Sequence, residues 1–153
     1  MKKNFFFVVL AMLFLAGTTA PLLAQAKLPD GVKGTVDLLY PDAEQIEWED
    51  ENDELVVYLI DEDYNVEITF DEEENWIQIT TVIGESDLPS LAQTYLVENH
   101  SDTDVNNILK MRTRKSTMYF VNLETNSEII SLTFDETGNL VEKEAEDIDE
   151  DEN

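Results

Sequence analysis

The stretch TFDEEENWI, residues 69–77, returns 64 positions later as TFDETGNLV, residues 133–141. Its reading decides the fold, because the same offset carries over to the residues on either side. Val66, Ile68 and Phe70 align with Ile130, Leu132 and Phe134, and Glu67, Thr69 and Asp71 align with Ser131, Thr133 and Asp135. Upstream, Leu55, Val57 and Leu59 align with Tyr119, Val121 and Leu123. The alternation has period two, apolar on one face and polar on the other, which predicts antiparallel strands with one covered side. The segments DEDYN and ETNSE between them read as hairpin loops. The phrases DEEEN and DETGN turn the chain into further strands that start at Trp76 and Leu140; the second has standard turn chemistry, whereas the first must turn without a glycine. An earlier strand near Ile46 and Trp48, matched loosely by Ile108 to Arg112, brings the expected number to about four in each half.

A helix is predicted ahead of each set of strands. Pro29 and Pro89 suit a first helical turn, where a missing N–H costs little. Leu28, Val32, Val36 and Leu39 recur at helical spacing, as do Leu88, Leu91, Ala92, Tyr95 and Leu96. Tyr40-Pro41 stops the first helix, and Asn99 with the polar HSDTD stops the second. The expected fold class is therefore α+β: two tandem repeats, residues 27–87 and 88–146, each an N-terminal helix packed on an antiparallel sheet of about four strands. A unit of that size buries too little surface to be comfortable alone, so the two are expected to share an interface or extend one another's sheet.

The N-terminus is set apart from the fold. Lys2 and Lys3, the apolar run from Phe5 to Ala16 and the small residues Ala24 and Ala26 make a secretory signal, residues 1–26, cleaved near Ala26. Cysteine is absent, so export brings no disulfide framework, thiol chemistry or lipid-bearing cysteine. The expected product is periplasmic or secreted, with no stable membrane anchor.

The chain carries 35 acidic and nine basic residues, a formal charge of −26. All the acids and seven of the bases lie beyond residue 26, so the exported form carries −28. Such a surface repels nucleic acid and anionic lipid and attracts cations and basic partners. The closing EKEAEDIDEDEN has eight acids in twelve residues; its self-repulsion predicts a disordered acidic tail, placed at 147–153.

The phrase LP…V…YPDAEQIEW…LVVYLIDEDYNVEITFDEEENW resembles the PepSY-like domains of exported bacterial proteins, a family related in fold to the tandem-repeat inhibitor protein of β-lactamases. The resemblance rests on Leu28-Pro29, Tyr40-Pro41 and the aromatic-Asp-turn-Asn-aromatic phrase from Phe70 to Trp76, and it covers two tandem copies. The second copy departs from it, with His100-Ser101 in place of Tyr40-Pro41 and Leu140 in place of Trp76. The resemblance implies a helix on a four-stranded sheet, twice, and a non-catalytic binding or inhibitory role; no inhibitory loop carries over residue by residue.

The site candidates follow from chemistry. Catalysis has little to stand on: His100 is the only histidine, a helix C-terminus explains it through favourable charge, and no nucleophile elbow surrounds any serine. The expectation is that the protein is not an enzyme and needs no cofactor. Partner binding has two sets of residues. Trp48, Tyr58, Tyr64 and Trp76 give the first half an aromatic set, with Tyr58 on the face opposite Val57. Lys110, Arg112 and Arg114 alternate along a strand and share a face, followed by Lys115; they either pair with acidic neighbours or dock an acidic partner or anionic glycan. The alternative is calcium. Asp61, Asp63, Asn65 and Glu72 fall at positions one, three, five and twelve of a calcium loop, but Val66 stands where that loop needs glycine. Weak calcium association with the acidic surface is the looser form of that reading. The predicted function is an exported, non-catalytic protein of the cell envelope that engages a protein or peptide partner, inhibition being one form; the alternative is an acidic calcium-binding or buffering protein.

Overall fold

The computed structural model describes residues 27–51 and 54–148. The export signal, and the acidic tail beyond Ile148, lie outside the described residues. Helix α1 spans Asp30–Leu39 and α2 spans Ser90–Asn99. Strands β1 (Glu44–Glu51), β2 (Glu54–Asp61), β3 (Tyr64–Phe70) and β4 (Trp76–Val82) precede a short 3-10 turn, Glu85–Asp87, and α2. Strands β5 (Asp104–Thr113), β6 (Thr117–Glu124), β7 (Glu128–Asp135) and β8 (Leu140–Asp147) follow.

All eight strands form one antiparallel sheet in the order β1-β2-β3-β4-β5-β6-β7-β8. This overturns the expected α+β class of two tandem helix-on-sheet repeats of about four strands each. The fold is largely β, one continuous sheet with two helices. The decisive element is the β4–β5 ladder, which pairs Gln78 with Thr113, Thr80 with Met111 and Val82 with Leu109. Two separate sheets would each leave another row of unpaired N–H and C=O groups, and this ladder removes both rows at once.

The register puts both helices on one side. One row of partners runs Trp48, Val57, Ile68, Ile79, Arg112, Thr117 across six strands. Ile108, four residues before Arg112 on β5, continues that face to Val121 and Leu132. On it, Val32 and Val36 of α1 are buried with Val57, Leu59, Val66, Ile68, Phe70 and Ile79. Leu88, Ala92 and Leu96, at and just before α2, are buried with Ile108, Tyr119, Val121, Leu123, Ile130, Leu132 and Phe134. The inward strand positions read from the sequence are buried, with Ile68, Phe70 and Phe134 at 0 % exposure, except Leu55, which is half-buried; Leu91, read with the apolar face of the second helix, is exposed. No described element lies over the other face.

The repeated phrase builds two turns of the same kind. Asp71 Oδ1 accepts hydrogen bonds from the backbone N–H groups of Glu73 and Asn75 at 3.0 and 2.9 Å. Asp135 Oδ1 accepts them from Thr137 and Asn139, both at 2.9 Å, and from the Thr137 hydroxyl at 2.7 Å. These are side-chain mimics of a backbone turn. Each turn lies against a helix N-terminus, and each contact has one glycine. In the second turn it is Gly138, at φ +90, where an added Cβ would stand 2.8 Å from the Ala92 backbone nitrogen. In the first turn Glu74 takes the left-handed conformation, φ 60, and the helix supplies Gly31, against which the Glu74 carboxylate rests. The missing glycine of EEEN is therefore on the facing helix. The hairpin between β2 and β3 is a two-residue turn with Glu62 and Asp63 both at positive φ, the form that matches strand twist.

Two local expectations are corrected. Asp147, placed at the start of the acidic tail, belongs to β8 and pairs with Glu128 of β7, and Glu142 to Glu146 before it pair with Thr133 to Ile129. Every residue of β8 is exposed, so its carboxylates keep their water while the backbone pairs. His100 is not a helix-end cation: its Nε2 is buried without a hydrogen-bond partner, and burial pushes its pKa down, with Lys143 adding to the effect.

Two outcomes follow. Phe70→Ala and Phe134→Ala will each destabilise the protein by about 3–5 kcal/mol, the usual cost of emptying a buried aromatic site, read as a shift of the urea midpoint. Turn hydrogen bonds hold the Asp135 carboxyl at about 2, below its ordinary 3.8, the Thr137 hydroxyl contributing most. That stabilisation is present above pH 3.8 and is lost as pH falls through about 2. The midpoint of the native protein should therefore fall more steeply with acid than that of Asp135→Ala; parallel curves would contradict the assignment.

Candidate functional site

Where the two apolar cores meet over β4 and β5, the covered face changes character. Ile79 closes one cluster and Ile108 opens the other, but the inward positions between them on β5 carry Lys110 and Arg112, opposite Thr81 and Ile79 of β4. Tyr40, just past α1, Tyr64 at the start of β3, Ile83, and Asp87 ahead of α2 complete the walls of a cleft of about 240 Å³. The cleft lies at the seam because neither ten-residue helix covers the whole sheet.

Its polar groups are unequally satisfied. The Tyr64 hydroxyl donates to Asp87 Oδ2 at 3.1 Å, and the Gly84 N–H donates to the same oxygen at 3.1 Å. That hydrogen bond to Asp87 is the main reason the Tyr64 pKa is raised. Burial raises the Tyr40 pKa, with Arg112 opposing it. The cations are different. The guanidinium of Arg112 lies 5.5 Å from the centre of the Trp76 ring and that of Arg114 lies 5.6 Å from it. Arg114 Nε donates to the Trp76 carbonyl at 3.2 Å. Arg112 Nε is buried with no hydrogen-bond partner. Among the described residues the carboxylate salt bridges are Lys27–Asp30 and Lys33–Asp37, and none involves Lys110, Arg112 or Arg114. Arg112, half-buried on β5, and Arg114, exposed in the hairpin that follows it, thus share one aromatic ring and form no salt bridge with a described carboxylate. Two guanidinium groups beside one indole gain cation–π attraction of about 0.5–1 kcal/mol each at exposed sites, while their like charges oppose each other.

The residues singled out from the sequence divide by face. Tyr64, Trp76, Lys110 and Arg112 gather at or beside the cleft, whereas Arg114 lies past the end of β5 in the β5–β6 hairpin, exposed, and reaches the Trp76 ring from there. Trp48 shares the covered face but packs against the first core cluster. Tyr58 points to the open face, between Glu47 and Glu67 of the neighbouring strands. Of the cleft residues, Tyr40 and Asp87 had no mark in the sequence beyond a helix stop and a loop acid. Their role comes from the chain path that brings helix ends over β3 to β5.

The calcium-loop residues do not converge. Asp61 ends β2 and Asp63 lies in the hairpin, whereas Glu72 lies beyond the far end of β3. At about 3.3 Å per residue, seven strand residues hold them roughly 20 Å apart. Among the described residues no group of three or more His, Cys, Asp or Glu side chains is placed to hold a metal ion. No described helix is long and apolar enough to cross a membrane.

Comparison with known proteins agrees with this architecture. Residues 53–142, more than half of the chain and spanning the β4–β5 seam, match the family described as "Putative beta-lactamase-inhibitor-like, PepSY-like". A crystal structure of a BLIP-like protein from Bacteroides fragilis is similar, with a TM-score of 0.68, 23% sequence identity, and coverage of 84% of this chain and 94% of that one. A structure from Bacteroides eggerthii, described among "putative periplasmic proteins", is similar with a TM-score of 0.67 at 15% identity, covering 78% of this chain and 89% of that one. At these identities the likeness concerns the fold. No curated protein matches the chain.

On the open face, Glu67 is half-buried between Tyr58 and Thr80, and burial raises its pKa. A raised carboxyl pKa disfavours the folded state once the group ionises, so Glu67→Gln should raise the melting temperature at pH 7. The gain should vanish at a pH below the carboxyl's unfolded value. An equal gain at both pH values would point to packing instead.

Proposed function

This chain belongs to the PepSY-like family, and on that footing we propose that it is an exported, non-catalytic binding protein of the cell envelope. It engages a protein or peptide partner through the cleft at the β4–β5 seam. The observation that carries this reading is the state of the cations. In a chain with 35 acidic residues, Lys110, Arg112 and Arg114 have no carboxylate of their own within salt-bridge distance among the described residues. They are grouped with Trp76, Tyr40 and Tyr64, the residue types that dominate binding energy at protein interfaces.

Several observations support the rest of the proposal. The first 26 residues have the three-part pattern of a cleaved export signal, and a structure of similar fold is described as periplasmic. Binding without chemistry fits a site whose single carboxylate, Asp87, is already engaged by Tyr64, and whose histidine stands elsewhere, at the end of α2. The family description, inhibitor-like, supports binding as the mode of action and inhibition as one form of it.

Affinity capture from an envelope extract tests this, with the protein as bait beside its Lys110→Ala, Arg114→Ala and Tyr58→Ala variants. A discrete partner should be retained by the native protein and by Tyr58→Ala, and lost at least tenfold with Lys110→Ala in the cleft and Arg114→Ala beside it, at unchanged melting temperature. Retention that ignores the cleft variants, or no specific partner, would refute the proposal.

A further inference from the structure

The chemistry of the cleft also defines what enters it. Lys110 and Arg112 are alternate residues of one strand, so their side chains leave the same face about 7 Å apart. The guanidinium carbon of Arg112 lies 5.5 Å from the centre of the Trp76 ring, and its Nε–H is buried and has no acceptor. A buried charged donor without an acceptor is costly for the free protein. A planar guanidinium fork is suited to a carboxylate, which it can bind through two parallel hydrogen bonds.

The surroundings restrict the rest of the ligand. Asp87 stands in the cleft wall, Asp61 is close enough to influence Tyr40, and Asp71 is close enough to interact with Arg114. The sheet edges are acidic too, with Glu44, Glu47, Glu49 and Asp50 on β1 and Glu142, Glu144, Glu146 and Asp147 on β8. A polyanion such as a sulfated glycan or a nucleic acid would run from the cationic seam directly into these charges. A single negative group on an otherwise uncharged loop would not. The remaining lining, Ile79, Ile83, Tyr40 and Tyr64, suits apolar neighbours on either side of that group.

The geometry points to recognition of one carboxylate, the side chain of an aspartate or glutamate flanked by apolar residues on a loop of a partner protein. Arg112 is the gripping residue, and Lys110 and Arg114 supply additional charge. This rests on the cleft being the partner site and specifies the group the partner presents.

Nuclear magnetic resonance gives a direct test, because the chain has two arginines, Arg112 and Arg114, and two tryptophans, Trp48 and Trp76. The probes are acetyl-Leu-Glu-Leu-amide, acetyl-Leu-Gln-Leu-amide and inorganic phosphate. The glutamate peptide should give a saturable shift of the Arg112 Nε–H and Trp76 indole signals near about 1 mM, the affinity expected of a short fragment. The glutamine peptide should bind at least tenfold more weakly. Arg112→Met should abolish the Trp76 response while melting no lower than the native protein, since it removes the unpartnered donor and retains contact with the ring. Equal binding of the two peptides, no saturable shift with either, tighter binding of phosphate than of the glutamate peptide, or a markedly lower melting temperature for Arg112→Met would each overturn the inference. Failure here with cleft-dependent capture intact removes the carboxylate and leaves the partner reading. Capture that ignores the cleft removes the partner reading, whatever the peptides do.

Discussion

Gln78 to Val82 of β4 pair with Leu109 to Thr113 of β5, and the rest of the architecture depends on this one ladder. It joins strands on either side of the α2 connection into a sheet with two edges, β1 and β8. It also sets the phase of β5 against β4, which decides that Ile108, Lys110 and Arg112 face the helices while Leu109 and Met111 face the other way. A slip of one residue would exchange those sets. The Ile83 N–H donating to the Ile108 carbonyl at 3.0 Å extends the ladder at the point where the chain leaves for α2.

The edges and the seam divide the charge. Glu44, Glu47, Glu49 and Asp50 of β1 and the acids of β8 are exposed, and like charges on an unpaired edge oppose the addition of a second copy. The seam carries the cations. Four of the seven basic residues beyond residue 26 lie between Lys110 and Lys115, at the middle of the sheet and as far from either edge as the fold allows. Lys110 and Arg112 are half-buried on the covered face without a carboxylate partner and Arg114 and Lys115 are exposed in the β5–β6 hairpin, whereas Lys27 and Lys33 are paired along the exposed helical segment with Asp30 and Asp37. Exposed pairs of that kind contribute little to stability. The contrast therefore reflects where charge is available for recognition more than what holds the fold together.

The turns show how one contact is made with its parts exchanged. Each requires close approach of a turn to the start of a helix, and a side chain fits on only one of the two partners. At α1 the helix gives way with Gly31 and the turn contributes Glu74; at α2 the turn gives way with Gly138 and the helix contributes Leu91. The Asp71 and Asp135 carboxylates shape both turns in the same way, so a conserved side-chain geometry survives a reversal of which partner is small.

The sequence by itself determined the inward residues of β2, β3, β6 and β7, the two helices with their stops at Tyr40 and His100, and the Asp-initiated turns. Each depends on interactions within a few residues, where period-two and helical spacing and hydrogen-bonding side chains act directly. Only the tertiary structure decided that the strands make one sheet, that β8 stays paired through Asp147, and that Tyr58 stands apart from Tyr64 and Trp76. It alone placed Tyr40 and Asp87 beside Arg112. Those outcomes depend on which distant backbone groups hydrogen-bond across the connection 83–103, and on the tendency of unpaired edges to find partners. Local spacing carries no record of either.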